Sequence, residues 1–344
     1  MRGRRAGAVA GALVAVLTLA ACNGTDTPPQ ALAGEPEPKA TPDPVCPLTG
    51  LPPAKGVKLS RPAVAVKIEN DPAARPQAGL EYADIVFEER VEGGITRFMA
   101  IYHCGDSKLA GPVRSGRFDD PKLSLPFTRL IAASGANEIV KAEMRKRGIL
   151  FLEENQTKGL FRNPAGSTSV HSLFADTSLL RKVAAREGFD PPAAPFTFGE
   201  PQNKGKKARS VAMNFVATNT IEYRWDGEGW ARYEAGAPFM SAEGRQITVP
   251  NLVIQEVRVD NSATIVDVAG NPSPDITLTG TGRAWLFRDG RVVKGSWSIE
   301  EEGGTPVFTD KKGSPFVFEP GAVWIELVPS QEGGVTGGVS ISKK

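Results

Sequence analysis

The sequence predicts an α+β protein in which a mixed α/β domain is followed by a mostly antiparallel β domain, folded as a sandwich or a small barrel. Two observations support this prediction. Between about residues 60 and 200, continuous apolar runs typical of buried strands alternate with amphipathic helical patterns. From residue 209 onwards, apolar and polar residues alternate with a period of two, and Asp-Gly turns interrupt the runs.

The first domain contains four strand patterns and two helix patterns. One helix begins after Asn137, a residue type that favours the N-cap position, and ends at Gly148. The other begins at Asp176 or Thr177 and ends at Gly188. The strands are the runs AVAVKI (63–68), DIVFEE (84–89), RFMAIY (97–102) and LIAAS (130–134).

The second domain contains strand patterns and hairpin turns. Asp289-Gly290 lies between two alternating runs and is a strong signal for a β-hairpin. A stretch rich in proline, glycine and lysine separates the domains, and the glycine-rich C-terminus has few apolar residues. The predicted boundaries are 58–192 for the first domain, 193–208 for a linker, 209–330 for the second domain and 331–344 for a disordered tail.

The N-terminus predicts export and lipidation. Three arginines, a short apolar core and the sequence LAAC at 19–22 indicate a secretory signal over residues 1–21. LAAC resembles the bacterial lipobox, whose cysteine receives a diacylglyceryl group, so we predict lipidation of Cys22; an ordinary secretion signal with an incidental cysteine is the alternative. Residues 22–57 are rich in proline and predict an extended tether. We expect the protein on the extracytoplasmic face of the cell membrane, held by its lipid.

The charge is nearly balanced, with 41 lysines and arginines against 39 aspartates and glutamates. Nucleic-acid binding needs a basic surface that neutralises phosphates, so this composition argues against a nucleic-acid partner. Besides the membrane, contacted through Cys22, the expected partner is a cell-wall polymer or an envelope protein.

Two cysteines, Cys46 and Cys104, remain once Cys22 is assigned to the lipid. In an oxidising compartment such a pair favours a disulfide. Two free thiols, or a metal site that includes the neighbouring His103, are the alternatives, although the ligand spacing differs from that of structural zinc sites. We predict a disulfide, no metal and no other cofactor.

Arginines beside turn glycines are the main candidates for a functional site. The chain has no G-x-S-x-G, H-E-x-x-H or Walker motif, and no catalytic residue is assigned. Arginines instead lie in ARPQ, EGGITR and GPVRSGR, where guanidinium groups and turn N–H groups suit phosphates and carboxylates. The predicted ligand-binding residues are Arg75, Glu92, Arg97, Arg114, Ser115, Arg117 and His171.

Other interpretations of these residues stay open. The arginines could pair within the fold with acids such as Glu69 or Glu88 rather than with a ligand. If they bind a ligand, we expect it to be anionic or to contain carbohydrate. One alternative function is a cell-wall hydrolase or transferase, with Glu92, Asp71 or His171 as acid or base. Another is a scaffold that docks a protein partner on its β half.

Several of these motifs resemble the YerB-like bacterial lipoproteins. The resemblance spans about residues 60–328 and is carried by RPAVAVKIEN, ARPQAGLEYADIVFEERVEGGITRFMAIY, GPVRSGR, TGTGRAWLFRDGRVVKGSW and FEPGAVWIELVP. It implies a two-domain lipoprotein whose biochemical function is uncharacterised. The family pattern around the histidine is Pro-His-Asn, whereas Val170 and Ser172 flank His171 here. That departure weakens a catalytic role for His171; the other six predicted ligand residues match the family motifs.

Overall fold

Strands from both halves of the sequence pair in one large mixed sheet. The structure, a computed structural model, describes residues 43–163, 170–216, 219–267 and 270–343, all within the unit Asp43–Lys344. The two halves join where Ile85–Arg90 and Val323–Pro329 run side by side in parallel. The described chain is mostly β and poor in helix.

The first half contains strands and three short α-helices. The helices are α1 (Asp120–Ser124), α2 (Glu138–Lys146) and α3 (Thr177–Arg186). Among the described residues, no helix has the length and apolar character needed to cross a membrane. The strands are β1 (Val64–Glu69), β2 (Ile85–Arg90), β3 (Thr96–Tyr102), β4 (Leu130–Ala132), β5 (Leu150–Leu152), β6 (Leu160–Arg162) and β7 (Leu173–Ala175).

The second half is built from strands. They are β8 (Thr197–Phe198), β9 (Lys206–Lys207), β10 (Ser210–Val216), β11 (Asn219–Trp225), β12 (Trp230–Glu234), β13 (Ala237–Pro238), β14 (Thr248–Val249), β15 (Asn251–Val266), β16 (Pro272–Thr277), β17 (Gly280–Arg288), β18 (Arg291–Ile299), β19 (Val307–Asp310), β20 (Val317–Phe318), β21 (Val323–Pro329) and β22 (Gly338–Ser342).

Most of these strands belong to two sheets, and two further pairs, β8 with β20 and β6 with β7, form small two-stranded sheets. Over the described residues, the large sheet has twelve strands, ordered β19-β18-β17-β15-β21-β2-β3-β1-β4-β5 with β16 beside β15 and β9 beside β18. The second sheet is ordered β13-β12-β11-β10-β22, with β14 beside β12. Apolar side chains of the second sheet and α3 pack on one face of the large sheet, and those of α1 and α2 pack on the other. Because both faces are covered, β1 and β3 are buried along their whole length.

Three local sequence signals are confirmed. Asn137 caps α2 and Asp176 caps α3, each accepting a hydrogen bond from a backbone N–H of the first helical turn. Asp289 and Gly290 both have positive φ, 50° and 63°, and form the tight turn between β17 and β18. Such a two-residue turn matches the right-handed twist of the paired strands.

Two segments that the sequence predicts as irregular contain strands. The predicted linker, 193–208, includes β8 and β9, which pair with β20 and β18. The predicted disordered tail, 331–344, includes β22, which pairs antiparallel with β10. The prediction for the tail is wrong because Val339 and Ile341 pack against the core and the backbone of β10 supplies hydrogen-bond partners.

The predicted disulfide between Cys46 and Cys104 is confirmed, with the two Cα atoms 6.1 Å apart. It excludes the free-thiol and metal-ligand alternatives for these two cysteines. The bond attaches the segment before β1 to the chain just after β3. The predicted signal and the lipidated Cys22 lie outside the described residues.

Candidate functional site

A pocket of about 510 Å³ lies where the loop after β3 meets the N-terminus of α2. Its third side is the ribbon formed by the end of β15 and β16. Five of the seven predicted ligand residues line this pocket, whereas Arg75 and His171 are not among the lining residues. The five are Glu92, Arg97, Arg114, Ser115 and Arg117.

The GPVRSGR loop (111–117) is held on both sides by backbone hydrogen bonds. The N–H of Arg114 donates to the carbonyl of Lys67 in β1 at 2.9 Å, and the N–H of Ser134 donates to the carbonyl of Arg114 at 3.0 Å. The N–H of Gly116 donates to the carbonyl of Gly135 at 2.8 Å. The loop therefore presents its arginines from a fixed backbone.

Arg117 is braced by an acid. Its Nε donates to Oε2 of Glu92 at 2.6 Å, and its Nη1 donates to the carbonyls of Ser115 and Gly116. The hydroxyl of Ser273 donates to the other oxygen of Glu92. Burial alone would raise the pKa of Glu92, but Arg117 and the Ser273 hydroxyl bring it below its usual value. Glu92 is therefore a carboxylate whose oxygens are both engaged.

Arg114 is paired on one edge and open on the other. Its Nε lies 2.9 Å from Oε1 of Glu69, the buried last residue of β1. Nδ1 of His171 lies 2.7 Å from Oε2 of the same carboxylate, so His171 contacts the site through Glu69. Within the described chain the Nη groups of Arg114 make no hydrogen bond, and its side chain is 28% exposed. That edge of the guanidinium can receive a ligand.

Arg97 differs from both neighbours because it has no acid partner. It is only 6% exposed, and its Nη1 donates to the carbonyl of Ser115 at 2.9 Å. Its Nε is buried without a hydrogen-bond partner, and no carboxylate of the described chain lies within 4.0 Å of the guanidinium. Burial, followed by repulsion from Arg117, lowers the pKa of Arg97 to about 10. Arg97 is thus a buried cation in the pocket wall without direct neutralisation.

The structure places Arg75 in a different environment. Its Nη2 donates to Oε1 of Glu234 at 2.5 Å and to the carbonyl of Asn70 at 2.9 Å. These contacts put Arg75 in a buried ionic cluster between the two sheets. Arg75 therefore pairs within the fold, as the alternative interpretation of the arginines expects. It does not line the pocket.

A buried ionic triad of Lys67, Glu89 and Asp120 holds the backbone of the GPVRSGR loop at Arg117. Nζ of Lys67 lies 2.6 Å from Oδ1 of Asp120 and is also ion-paired with Glu89. Oδ2 of Asp120 accepts a hydrogen bond from the N–H of Arg117 at 2.6 Å. One cation faces two acids here, and burial raises the pKa of Glu89 to about 8.

Sequence reasoning missed the wall that the second half contributes to this pocket. Ile265 and Val266 of β15 line it, together with Ser273 of β16. Proline on both sides of Ser273 argues against a central strand, and no local pattern relates Ser273 to Glu92. Only the pairing of β16 with β15 brings these residues to the loop.

Fold and pocket together define the class: a mostly β protein whose halves share one large sheet and form an arginine-lined pocket between them. Residues 48–190 match the N-terminal domain, and residues 211–325 the C-terminal domain, of a family described as protein of unknown function (DUF3048). The chain belongs to this family.

Two comparisons with individual proteins agree with the resemblance seen in the sequence. The chain is 32% identical over 293 residues to "Putative lipoprotein YerB" of Bacillus subtilis (strain 168), covering 82% of this chain and 86% of the relative. The crystal structure of YerB protein from Bacillus subtilis is similar with a TM-score of 0.71 and 28% identity, covering 86% of this chain and 99% of that chain. The predicted likeness to YerB-like lipoproteins is confirmed.

Proposed function

We propose that this protein is a lipid-anchored protein of the bacterial cell envelope that binds an anionic ligand in the arginine pocket. A phosphate-bearing or carboxylate-bearing envelope polymer or glycan is the expected ligand class. The observation that carries the proposal is Arg97, a guanidinium in the pocket wall that has no acid partner within the described chain.

Three observations support the location. The LAAC sequence ends at Cys22, the curated relative is named a lipoprotein, and the Cys46–Cys104 disulfide suits an oxidising compartment. Cys22→Ala is expected to release the protein from the membrane fraction into the medium, which fractionation and mass spectrometry of the product would show. A cytosolic, unlipidated product that keeps residues 1–21 would contradict the proposed location.

The pocket has the chemistry of an anion site. An anion seated there would neutralise Arg97 and accept hydrogen bonds from the open Nη groups of Arg114. The pocket also borders the N-cap residue Asn137 of the nine-residue helix α2, whose dipole favours negative charge at this end. The hydroxyl of Ser115 is a further polar group for a phosphate or sugar oxygen.

A hydrolytic role has less support than binding. A general acid needs a raised pKa, whereas Arg117 holds the pKa of Glu92 below its usual value. Asp71 accepts a hydrogen bond from the N–H of Ala73 and caps a short 3-10 turn, away from the pocket lining. Neither carboxylate is arranged to donate a proton in the pocket.

Arg97→Met is expected to weaken anion binding by about tenfold or more, because a charge-assisted hydrogen bond contributes roughly 1.5–3 kcal/mol. The same variant without ligand should be more stable by about 1 kcal/mol, since burying a charge without an acid partner costs free energy that an apolar side chain does not cost. Calorimetric titration with glycerol 3-phosphate and urea denaturation would measure the two effects. Both measurements use the mature chain with Cys22→Ser, a substitution that leaves every described residue unchanged.

Arg245→Met is the matched control, since Arg245 is an exposed arginine outside the pocket. It should change neither affinity nor stability appreciably. Equal glycerol 3-phosphate affinity in wild type and Arg97→Met would refute the proposed site. A loss of stability in Arg97→Met without ligand would refute the interpretation of Arg97 as an unneutralised cation.

A further inference from the structure

We infer that the ligand of the arginine pocket is amphiphilic: a phosphate-type anion that carries a hydrocarbon chain. This inference rests on the proposed function and narrows its ligand class. The inference comes from the aliphatic side chains of this pocket, which have no role in binding the anion.

Aliphatic residues from three separate segments line the pocket beside the arginines. They are Val140 of α2, Val170, and Ile265 and Val266 of the ribbon. A site for a free phosphate or a bare sugar phosphate gains nothing from such a wall, because apolar surface offers these ligands no hydrogen bonds. A chain attached to the anion would remove the aliphatic surface from water.

The aliphatic wall is not fully buried by the fold. Val170 is 56% exposed and Val266 is 45% exposed, and Ile139, next to Val140 in α2, is 47% exposed. In the described chain nine large apolar side chains are exposed, and these three fall in or directly beside this one pocket. Single exposed apolar residues are ordinary, but a group of them at a ligand pocket marks an apolar binding surface.

The size of the pocket also fits a ligand larger than its anionic group. A volume of about 510 Å³ exceeds what a free phosphate fills. It lies within the roughly 300–1,000 Å³ typical of small-molecule sites, which combine mostly apolar walls with a few polar groups. Arg97 and Arg114 are those polar groups, and Val170 and Val266 belong to the apolar part.

Hexyl phosphate and methyl phosphate test the inference, because they share one anionic group and differ only in chain length. Each methylene that becomes buried is worth about fourfold in affinity. We expect hexyl phosphate, used below its micelle concentration, to bind the mature Cys22→Ser chain at least tenfold more tightly than methyl phosphate. Val266→Ser should reduce that ratio severalfold.

Val307→Ser is the matched control, since Val307 is a valine of similar exposure (52%) on β19 and lies outside the pocket. It should preserve the full hexyl-to-methyl ratio. Equal affinities for the two phosphates would overturn the inference while leaving the anion site standing. Absence of binding to both would overturn the inference and the proposed function together. Binding to anionic phospholipid vesicles without any preference for hexyl phosphate would assign the valines to a membrane surface and also overturn it.

Discussion

Replacing Arg232 with methionine is expected to lower the free energy of unfolding by about 3–5 kcal/mol, the cost of leaving a buried charge without its partner. Arg232 lies on β12 and is fully buried. Its guanidinium lies within 3.3 Å of three carboxyl groups, those of Glu88, Glu234 and Glu326. Methionine fills a similar volume, so the loss would come from charge rather than from a cavity.

Arg232 is the cation that pairs with all three acids of this cluster. The cluster contains two guanidinium groups, Arg75 and Arg232, and three carboxyl groups. Burial, and then the neighbouring Glu88, raise the pKa of Glu326 well above its usual value. Removing Arg232 leaves Glu88 and Glu326 without an ion-pair partner among the described residues.

Urea denaturation of the Arg232→Met variant measures this loss. Arg224→Met is the control, because Arg224 lies on the adjacent strand β11 but pairs with Glu222 at the surface. Its loss should stay below about 1 kcal/mol. In the Glu88→Gln background, Arg232→Met should cost less than in wild type, since fewer charges are then left behind. Equal losses for the two arginine variants would show that burial of the ion pairs has no energetic consequence.

This cluster explains how the second sheet is positioned on the large one. Glu88 of β2 and Glu326 of β21 are direct partners in the parallel pairing that joins the two halves. Arg232 reaches both of them from β12 of the second sheet. Aromatic rings, including those of Phe98 and Phe239, surround its guanidinium at 4.7–5.8 Å. Displacing the sheets would separate Arg232 from these acids, so the cluster favours one arrangement.

Local features of this fold were predictable from the sequence, because each depends on neighbouring residues. The continuous apolar runs at β1 and β3 indicate strands buried on both faces. Asn137 indicates the start of α2, and Asp289-Gly290 indicates the turn of a hairpin. The two remaining cysteines likewise indicated the disulfide, through their number and compartment.

The pairing of distant segments was not predictable in the same way. Nothing in the patterns of β2 and β21 indicates that they pair in parallel across more than 200 residues of chain. The pocket was predictable only in part. The motif GPVRSGR indicates that arginines lie close together, but tertiary structure alone brings Ser273 and Val266 next to them. Arg117 and Arg97 both lie beside turn glycines, so the sequence does not distinguish them. In the structure Arg117 pairs with an acid and Arg97 does not, because that difference depends on distances between residues far apart in the chain.

Replacing Cys46 and Cys104 with alanine is expected to lower the free energy of unfolding by about 4 kcal/mol. The disulfide joins residues 58 positions apart, and in the chain-entropy model a closed loop of this length restricts the unfolded chain by about that amount. Alanine suits the buried position of Cys46 and adds no polar group. Urea denaturation of the oxidised wild type and the double variant gives the difference. Reduction with dithiothreitol should destabilise the wild type by a similar amount and leave the variant unchanged.

Loss of this disulfide should loosen the first segment before the sheets unfold. That segment is otherwise held by the buried Leu48, by the N–H of Gly321, which donates to the carbonyl of Thr49 at 2.7 Å, and by Arg61, whose guanidinium donates to the carbonyls of His103 and Cys104. Limited proteolysis of the variant should therefore cut between about residues 52 and 60 earlier than in the wild type. An unchanged cleavage pattern together with an unchanged unfolding midpoint would show that the disulfide stabilises neither this segment nor the fold.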